Sequence, residues 1–418
     1  MPRSLTVSRN YLETVKNALP RNGFPRQEDF AAHLRLSSDT VRKFLNGYSI
    51  SCENFLEICH HLSLEATKIA EELNLPDDSP PGPPGPVVVL TKYEIEREPQ
   101  ESDCLKEILQ PGSFLRIKGP QQMGKTRLLN RVLAKCQQKQ DNCQIIIINW
   151  QNDFDSEAFD SYETFLKTFC AAISKYLGLP DDILDKYWNN RGSTNNKATS
   201  YFADYLLSKI ENWLILVLQE MDLVFNYDQL SLDFCGLLRG WHQKYSQHEC
   251  WRKLSLVIVH STDKYASLDI ATSPLANAGV TVVVEEFTRS EVDNLIEKYG
   301  LFSSSKLEEL ITLVKSHPFL LNHAFKKIAK ETTSLEEILA KAATQESLYR
   351  DHLLELGNIL EKNPDLKENF KKIVTASEPV RLNPTIAFQL ESLGLVRINS
   401  DFAEPRCPLY RQYFVKYL

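Results

Sequence analysis

The chain has 418 residues, 43% hydrophobic and 25% charged, with a formal net charge of −7. That balance fits a soluble globular protein of two to four domains, and it excludes a chain built throughout as a polycation for nucleic acid. No apolar run approaches the roughly 20 residues of a membrane helix, and Met1–Thr6 lacks a signal-peptide core. Nine cysteines occur without a Cys-x-x-Cys pair, which argues against a zinc site or disulfide framework and for a reducing cytoplasm.

Residues 1–75 read as helical, with helices expected over Tyr11 to Leu19, Gln27 to Leu34, Ser38 to Leu45, Cys52 to Leu62 and Glu65 to Leu73. Asn22 to Pro25 breaks the first. Ser37 or Ser38 caps the third, and Asn46-Gly47 ends it. Two short helices, a tight turn and a further helix are the grammar of a helix-turn-helix. Ser38, Asp39, Arg42 and Lys43 then form the exposed, DNA-facing side, while Val41, Phe44 and Leu45 pack inward. Residues 1–76 carry nine lysines and arginines against nine acids, whereas a dedicated DNA binder is more basic. A small helical domain that binds protein therefore stands beside the DNA reading. Pro76 to Pro86 is rich in proline and glycine and reads as an extended spacer.

From Val87 onward, apolar runs at Phe114–Lys118, Gln144–Trp150, Trp213–Leu218, Leu254–Val259 and Val280–Val284 alternate with helical stretches. This predicts a parallel sheet covered on both faces. Directly after the first run comes Gly119-Pro120-Gln121-Gln122-Met123-Gly124-Lys125-Thr126, followed by a helical pattern from Arg127. Strand, glycine-containing loop and helix are the context of a phosphate-binding P-loop. Loop amides converge on the phosphates, Lys125 reaches the terminal ones, and the Thr126 hydroxyl is placed to hold Mg²⁺.

Such a loop works with an acid at the tip of a neighbouring strand. Trp213–Leu218 is followed by Gln219-Glu220-Met221-Asp222. Gln219 occupies the position where an aspartate would steady a hydrated metal, so hydrolysis is expected to be weak. Glu220 stands where a water-orienting base would stand, and Asp222 lies two residues on. Ser261 or Thr262, at the end of the fourth run, is a candidate phosphate sensor, and His260 reads as structural. In Lys315-Ser316-His317-Pro318-Phe319, Pro318 is a candidate for packing on the base and His317 for approaching the phosphates. A helix-starting proline capped by Ser316 is the equal alternative. Helices are expected over Arg289 to Tyr299, Ser304 to Lys315 and Leu320 to Ala329. The segment from Thr385 to Ile398 reads as helix, glycine turn and strand, as in a winged helix.

These pieces together resemble the bacterial AAA-like domain proteins common in cyanobacteria. The resemblance rests on Pro111-Gly112, Arg116 to Thr126, Asp182 to Trp188, Tyr201-Phe202, Tyr205 to Leu207, Phe234 to His242, Val259 to Thr262, Leu390 to Val396 and Leu409 to Phe414. Arg21 to Gln27 and Phe44 to Gly47 are similar to a helix-turn-helix module fused to such domains. The resemblance implies an α/β fold: an AAA-like P-loop NTPase core (90–287) with a helical lid (288–345) and a winged helix (346–418), preceded by an all-α helix-turn-helix domain (1–75) and a linker (76–89). It also implies a STAND-like switch that holds ATP or ADP with Mg²⁺, in which nucleotide state governs self-association. The rival readings are a non-hydrolysing adaptor with a structural nucleotide, and a transcription regulator whose ATPase core only mediates assembly.

Overall fold

The computed structural model describes residues 4–8, 11–21, 24, 26–34, 36–48, 50–62, 64, 69, 93–139, 143–180, 182–262, 275 and 278–418. The spacer, and nearly all of the helix expected over 65–73, lie outside the described residues, as do Asn22, Gly23 and Pro25. The chain divides into two compact units, Met1–Pro81 and Gly82–Leu418.

In the first unit the helices Leu12–Arg21, Gln27–Leu34, Ser38–Leu45 and Cys52–His61 surround a core that includes Val15, Phe30, Val41, Phe44 and Phe55. Ser37 caps the third helix, its Oγ accepting from the Thr40 amide at 3.0 Å. Gly47 ends it at φ +70°, where a Cβ would also lie 3.2 Å from the Val7 carbonyl oxygen. Strands β1 (Ser4–Leu5) and β2 (Ile50–Ser51) pair antiparallel, a feature too short to leave a periodic signal. Asp39, Arg42 and Lys43 lie exposed on one helix face.

The second unit is built on five parallel strands: β3 (Phe114–Gly119), β4 (Cys143–Ile148), β5 (Trp213–Leu218), β6 (Leu254–Ser261) and β7 (Val280–Val283), in the order β4-β5-β6-β3-β7. Alternation along β5 shows both faces at work. Leu214, Leu216 and Leu218 enter an aromatic core with Phe165, Phe169 and Phe234. Ile215 and Val217 enter the opposite core with Leu129 and Val132 of the helix Lys125–Lys139. The expected strand through Trp150 stops at Ile148, because the Asn149 side chain accepts from the amides of Gln151 and Asn152 and starts a short helix instead.

Beyond β7 come the helices Arg289–Lys298, Ser305–Val314, Pro318–Ala329 and Leu335–Lys341. Then follow Arg350–Glu361, Pro364–Thr375, Pro384–Ser392 and Pro408–Tyr417, with β8 (Val380–Arg381), β9 (Val396–Asn399) and β10 (Phe402–Pro405) forming an antiparallel sheet in the order β8-β10-β9. Residues from both stretches share one continuous core, with Val292, Leu310 and Phe325 beside Leu353, Phe370 and Phe414. The helix expected from Leu320 starts at Pro318, which occupies its first turn as one of the two readings has it, but the cap is His317 without a side-chain bond, and Ser316 stands in the left-handed region at φ +61°. Most described cysteines are buried and free, and burial pushes the thiols of Cys104 and Cys136 up to about 12. No helix among the described residues is long and apolar enough to cross a membrane.

One buried acid fastens the segment before the sheet to the P-loop helix. Glu101 is fully buried and accepts from the Arg97 amide at 2.8 Å and from Arg131 Nε at 2.5 Å, with Lys135 Nζ at 2.7 Å. Burial works against its charge, but the bonds from Arg131 and Lys135 outweigh it and hold the carboxyl below its usual range. Removing one partner of such a buried group strands the other. Glu101→Ala should lower the unfolding free energy by about 3 kcal/mol in urea denaturation followed by circular dichroism, and Glu101→Gln by less.

Candidate functional site

The loop between β3 and the helix Lys125–Lys139 is shaped by three backbone positions. A Cβ on Gly119 would meet the Val284 carbonyl oxygen at 2.5 Å, so the strand end admits only glycine. Gln122 (φ +62°) and Gly124 (φ +91°) turn the chain through the left-handed region. Lys125 then opens the helix, its Nζ donating to the Gly119 and Pro120 carbonyls at 3.0 and 2.8 Å. The ammonium group thus hangs over the loop, with weak neutral partners that an anion would displace.

A residue outside every sequence motif braces this loop. Arg97 is buried and donates to the Met123 carbonyl at 3.1 Å and to the Glu285 and Glu286 carbonyls at 2.8 and 3.1 Å. Its guanidinium lies 5.0 Å from the Phe287 ring centroid. The only sequence signal for it was an arginine within the acid-rich run Glu94 to Glu101.

A cleft of about 400 Å³ opens between the loop and the helix Pro318–Ala329. Lys125, Thr126 and Arg127 form one side, and Ile95, Phe287, Tyr299, Pro318 and Phe319 supply an apolar side. Arg127 spans the two, donating to Asn322 Oδ1 at 3.1 Å. Asn322 is held in turn by its own bond to the Pro318 carbonyl at 2.8 Å.

At the tip of β5, Gln219 Nε2 donates to Thr126 Oγ1 at 3.3 Å. The counted position therefore faces the loop as the sequence anticipates. Its backbone carbonyl accepts from the buried Trp150 indole at 2.6 Å. Glu220 is exposed and sits at φ +57°. Asp222 is turned elsewhere, accepting from the Ser261 amide at 2.7 Å and from its hydroxyl at 3.1 Å. Thr262 donates to the Ser392 carbonyl at 2.7 Å. Asp222, Ser261 and Thr262 thus tie the sheet's edge to its neighbours, and none of them lines the cleft. His260 is buried and neutral, drawn down to about 4 by burial. His317 lines a small enclosed cavity against Pro120 to Met123, together with His352; Pro318 alone of that pair faces the cleft.

These donors do not fit the expected magnesium ion. The Thr126 hydroxyl accepts from Gln219 with one of its two lone pairs and brings no charge, Asp222 has both oxygens engaged, and no carboxylate lines the cleft. Mg²⁺ demands an oxygen octahedron, usually with one or two carboxylates.

The C-terminal stretch is fastened beside the loop. A Cβ on Gly394 would come within 2.9 Å of Pro120 Cβ. Glu286, which precedes Phe287, accepts from Arg406 Nε at 2.5 Å and pairs with Arg397 at 3.0 Å. Burial opposes its charge, but the two arginines prevail and draw the carboxyl down to about 2.

The sequence profile of the AAA-like domain family matches residues 83–416. In three dimensions the chain is similar to a Walker-type ATPase of Pyrococcus abyssi, at 13% identity and a TM-score of 0.54, over 77% of this chain and 95% of that one. It is similar more loosely to the ORC1 protein of Aeropyrum pernix solved in complex with DNA (13%, TM-score 0.39, 77% and 92%). A third likeness is to AMPPCP-bound DnaA from Aquifex aeolicus (12%, TM-score 0.35, 71% and 75%). The first bears on the fold, and the other two are too distant to do so. No curated protein matches the chain in sequence.

A carboxyl held low in the folded state stabilises above its unfolded pKa and loses that contribution as pH falls through the folded value. Glu286 should therefore contribute about 3 kcal/mol at neutral pH, lost between roughly pH 4.5 and 2. In urea titrations at stepped pH, wild type should lose stability across that window more steeply than Glu286→Gln, and the two should converge at its acid end.

Proposed function

The chain belongs to the AAA-like domain family, and on that premise we propose that it is an ATP- and ADP-binding switch of the STAND-like P-loop class. The observation that carries the reading is the cleft itself, in which a P-loop faces an apolar wall across the Arg127–Asn322 bond. Phosphates take the loop amides and the Lys125 ammonium in place of the Gly119 and Pro120 carbonyls. The base lies among Ile95, Phe287 and Pro318. A ligand that engages both walls shifts the population between packings of the lid against the sheet. Residues 346–418, with their helices and three short strands, serve as a winged helix in that movement. Hydrolysis is slow, since Gln219 brings no charge to a metal and Glu220 is the remaining candidate to orient water.

The output is the helical unit before the spacer, acting as a bacterial-type helix-turn-helix, with self-association supplying avidity to a weakly charged surface. One observation favours the second reading, a non-hydrolysing adaptor whose first unit binds protein. Asp39 pairs with both Arg42 and Lys43, the latter at 2.9 Å, and so muffles the two cations a phosphate backbone would need.

In a fluorescent-nucleotide titration, wild type should bind ADP and ATP, and Lys125→Ala should bind about a hundredfold more weakly, roughly 3 kcal/mol. Equal affinities would remove the P-loop from the reading. In duplex retention at low salt, Asp39→Asn should bind more tightly than wild type, and the Arg42→Glu, Lys43→Glu pair should not bind. A wild type and an Asp39→Asn that both pass through unretained would assign the first unit to a protein partner.

A further inference from the structure

Gln219 does more than lack a charge. Its side-chain N–H donates to the Thr126 hydroxyl oxygen, and the Trp150 indole pins its backbone carbonyl from behind. Trp150 is buried and packs face-on with Phe165 and Phe169, so the position is set by the core and does not hang from a free loop. The amide places a partial positive charge, already hydrogen-bonded, against the oxygen that would otherwise coordinate a cation. Glu220, the next residue, is exposed and is not among the residues that line the cleft, and Asp222, two further on, has both oxygens taken by Ser261. The cleft is instead lined by Arg97, Lys125, Arg127 and Lys326, with no carboxylate among its lining residues.

A polyphosphate entering this cleft meets side-chain cations and main-chain donors in place of a shared metal. The lining residues offer no carboxylate that would make divalent binding favourable, and a cation brought with the ligand would meet the charges of Lys125, Arg127 and Lys326. We propose that the cleft selects a nucleoside di- or triphosphate free of divalent metal, with the Gln219 amide and the basic lining standing in for the ion. This rests on the nucleotide reading above and names the form of the ligand.

The test titrates fluorescent ADP and ATP analogues into the full chain, once in excess EDTA and once in excess MgCl₂. Wild-type affinities should agree within about threefold, and Gln219→Asp should bind about tenfold more tightly with Mg²⁺ than without it. Gln219→Leu, which removes the amide without adding an acid, should remain indifferent to the metal and serves where the aspartate variant does not fold. A wild type that gains more than about threefold from Mg²⁺ overturns this inference and leaves the nucleotide reading standing. A Gln219→Asp that stays indifferent overturns the role of the amide. Absence of binding in both buffers overturns the nucleotide reading and this inference with it.

Discussion

The site depends on a charge taken out of water. The Arg97 guanidinium is buried, and burial pulls its pKa below the usual arginine value. Charges in such positions persist where dipoles and counter-charges surround them. Here the Met123, Glu285 and Glu286 carbonyls accept from it, the Phe287 ring lies over it, and Glu291 stands 3.5 Å away. One side chain therefore holds the loop Gly119–Thr126 to the junction where the sheet gives way to the helices after it. Glu286 and Phe287 belong to that junction, so the apolar wall of the cleft and the anchor of the C-terminal stretch are placed by the same contact.

Two kinds of attachment meet around the loop. The core shared by the helices of residues 289–341 and 350–417 is large and apolar, with Phe325, Phe370 and Phe414 all fully buried; each such side chain contributes roughly 2 kcal/mol. The links from that body to the sheet are fewer and more polar: Arg127 to Asn322, Thr262 to Ser392, and Glu286 to Arg397 and Arg406. Apolar cores give way cooperatively, while a few polar links exchange partners at modest cost. The weaker seam runs along the edge of the cleft.

Much of this was legible because it is local. The apolar run Trp213–Leu218 coincides with its strand, spacing and context mark the P-loop, and counting from the strand end places Gln219 opposite Thr126. What escaped was set by contacts between distant residues. Arg97 meets Glu285 across 188 positions, and the Trp150 indole meets Gln219 across 69; neither leaves a periodic trace. Asp222 and Ser261 were both read as facing the ligand, yet they satisfy one another. Both stand at the carboxyl end of the sheet, and they meet because β5 and β6 lie side by side, a pairing that no local pattern carries. The π-helical turn Tyr201–Leu206 likewise packs Tyr201 and Phe202 into the core, which gives a physical reason for residues that carried only a likeness.

The common interior of the last eight helices has a mechanical consequence. Asn322 of that body touches Arg127, and the helix Pro408–Tyr417 lies within the same oily mass. Side chains packed as densely as in a crystal yield little to local strain, so such a body shifts as one piece. Its attachment through Arg406, Ser392 and Asn322 is therefore felt across all eight helices at once.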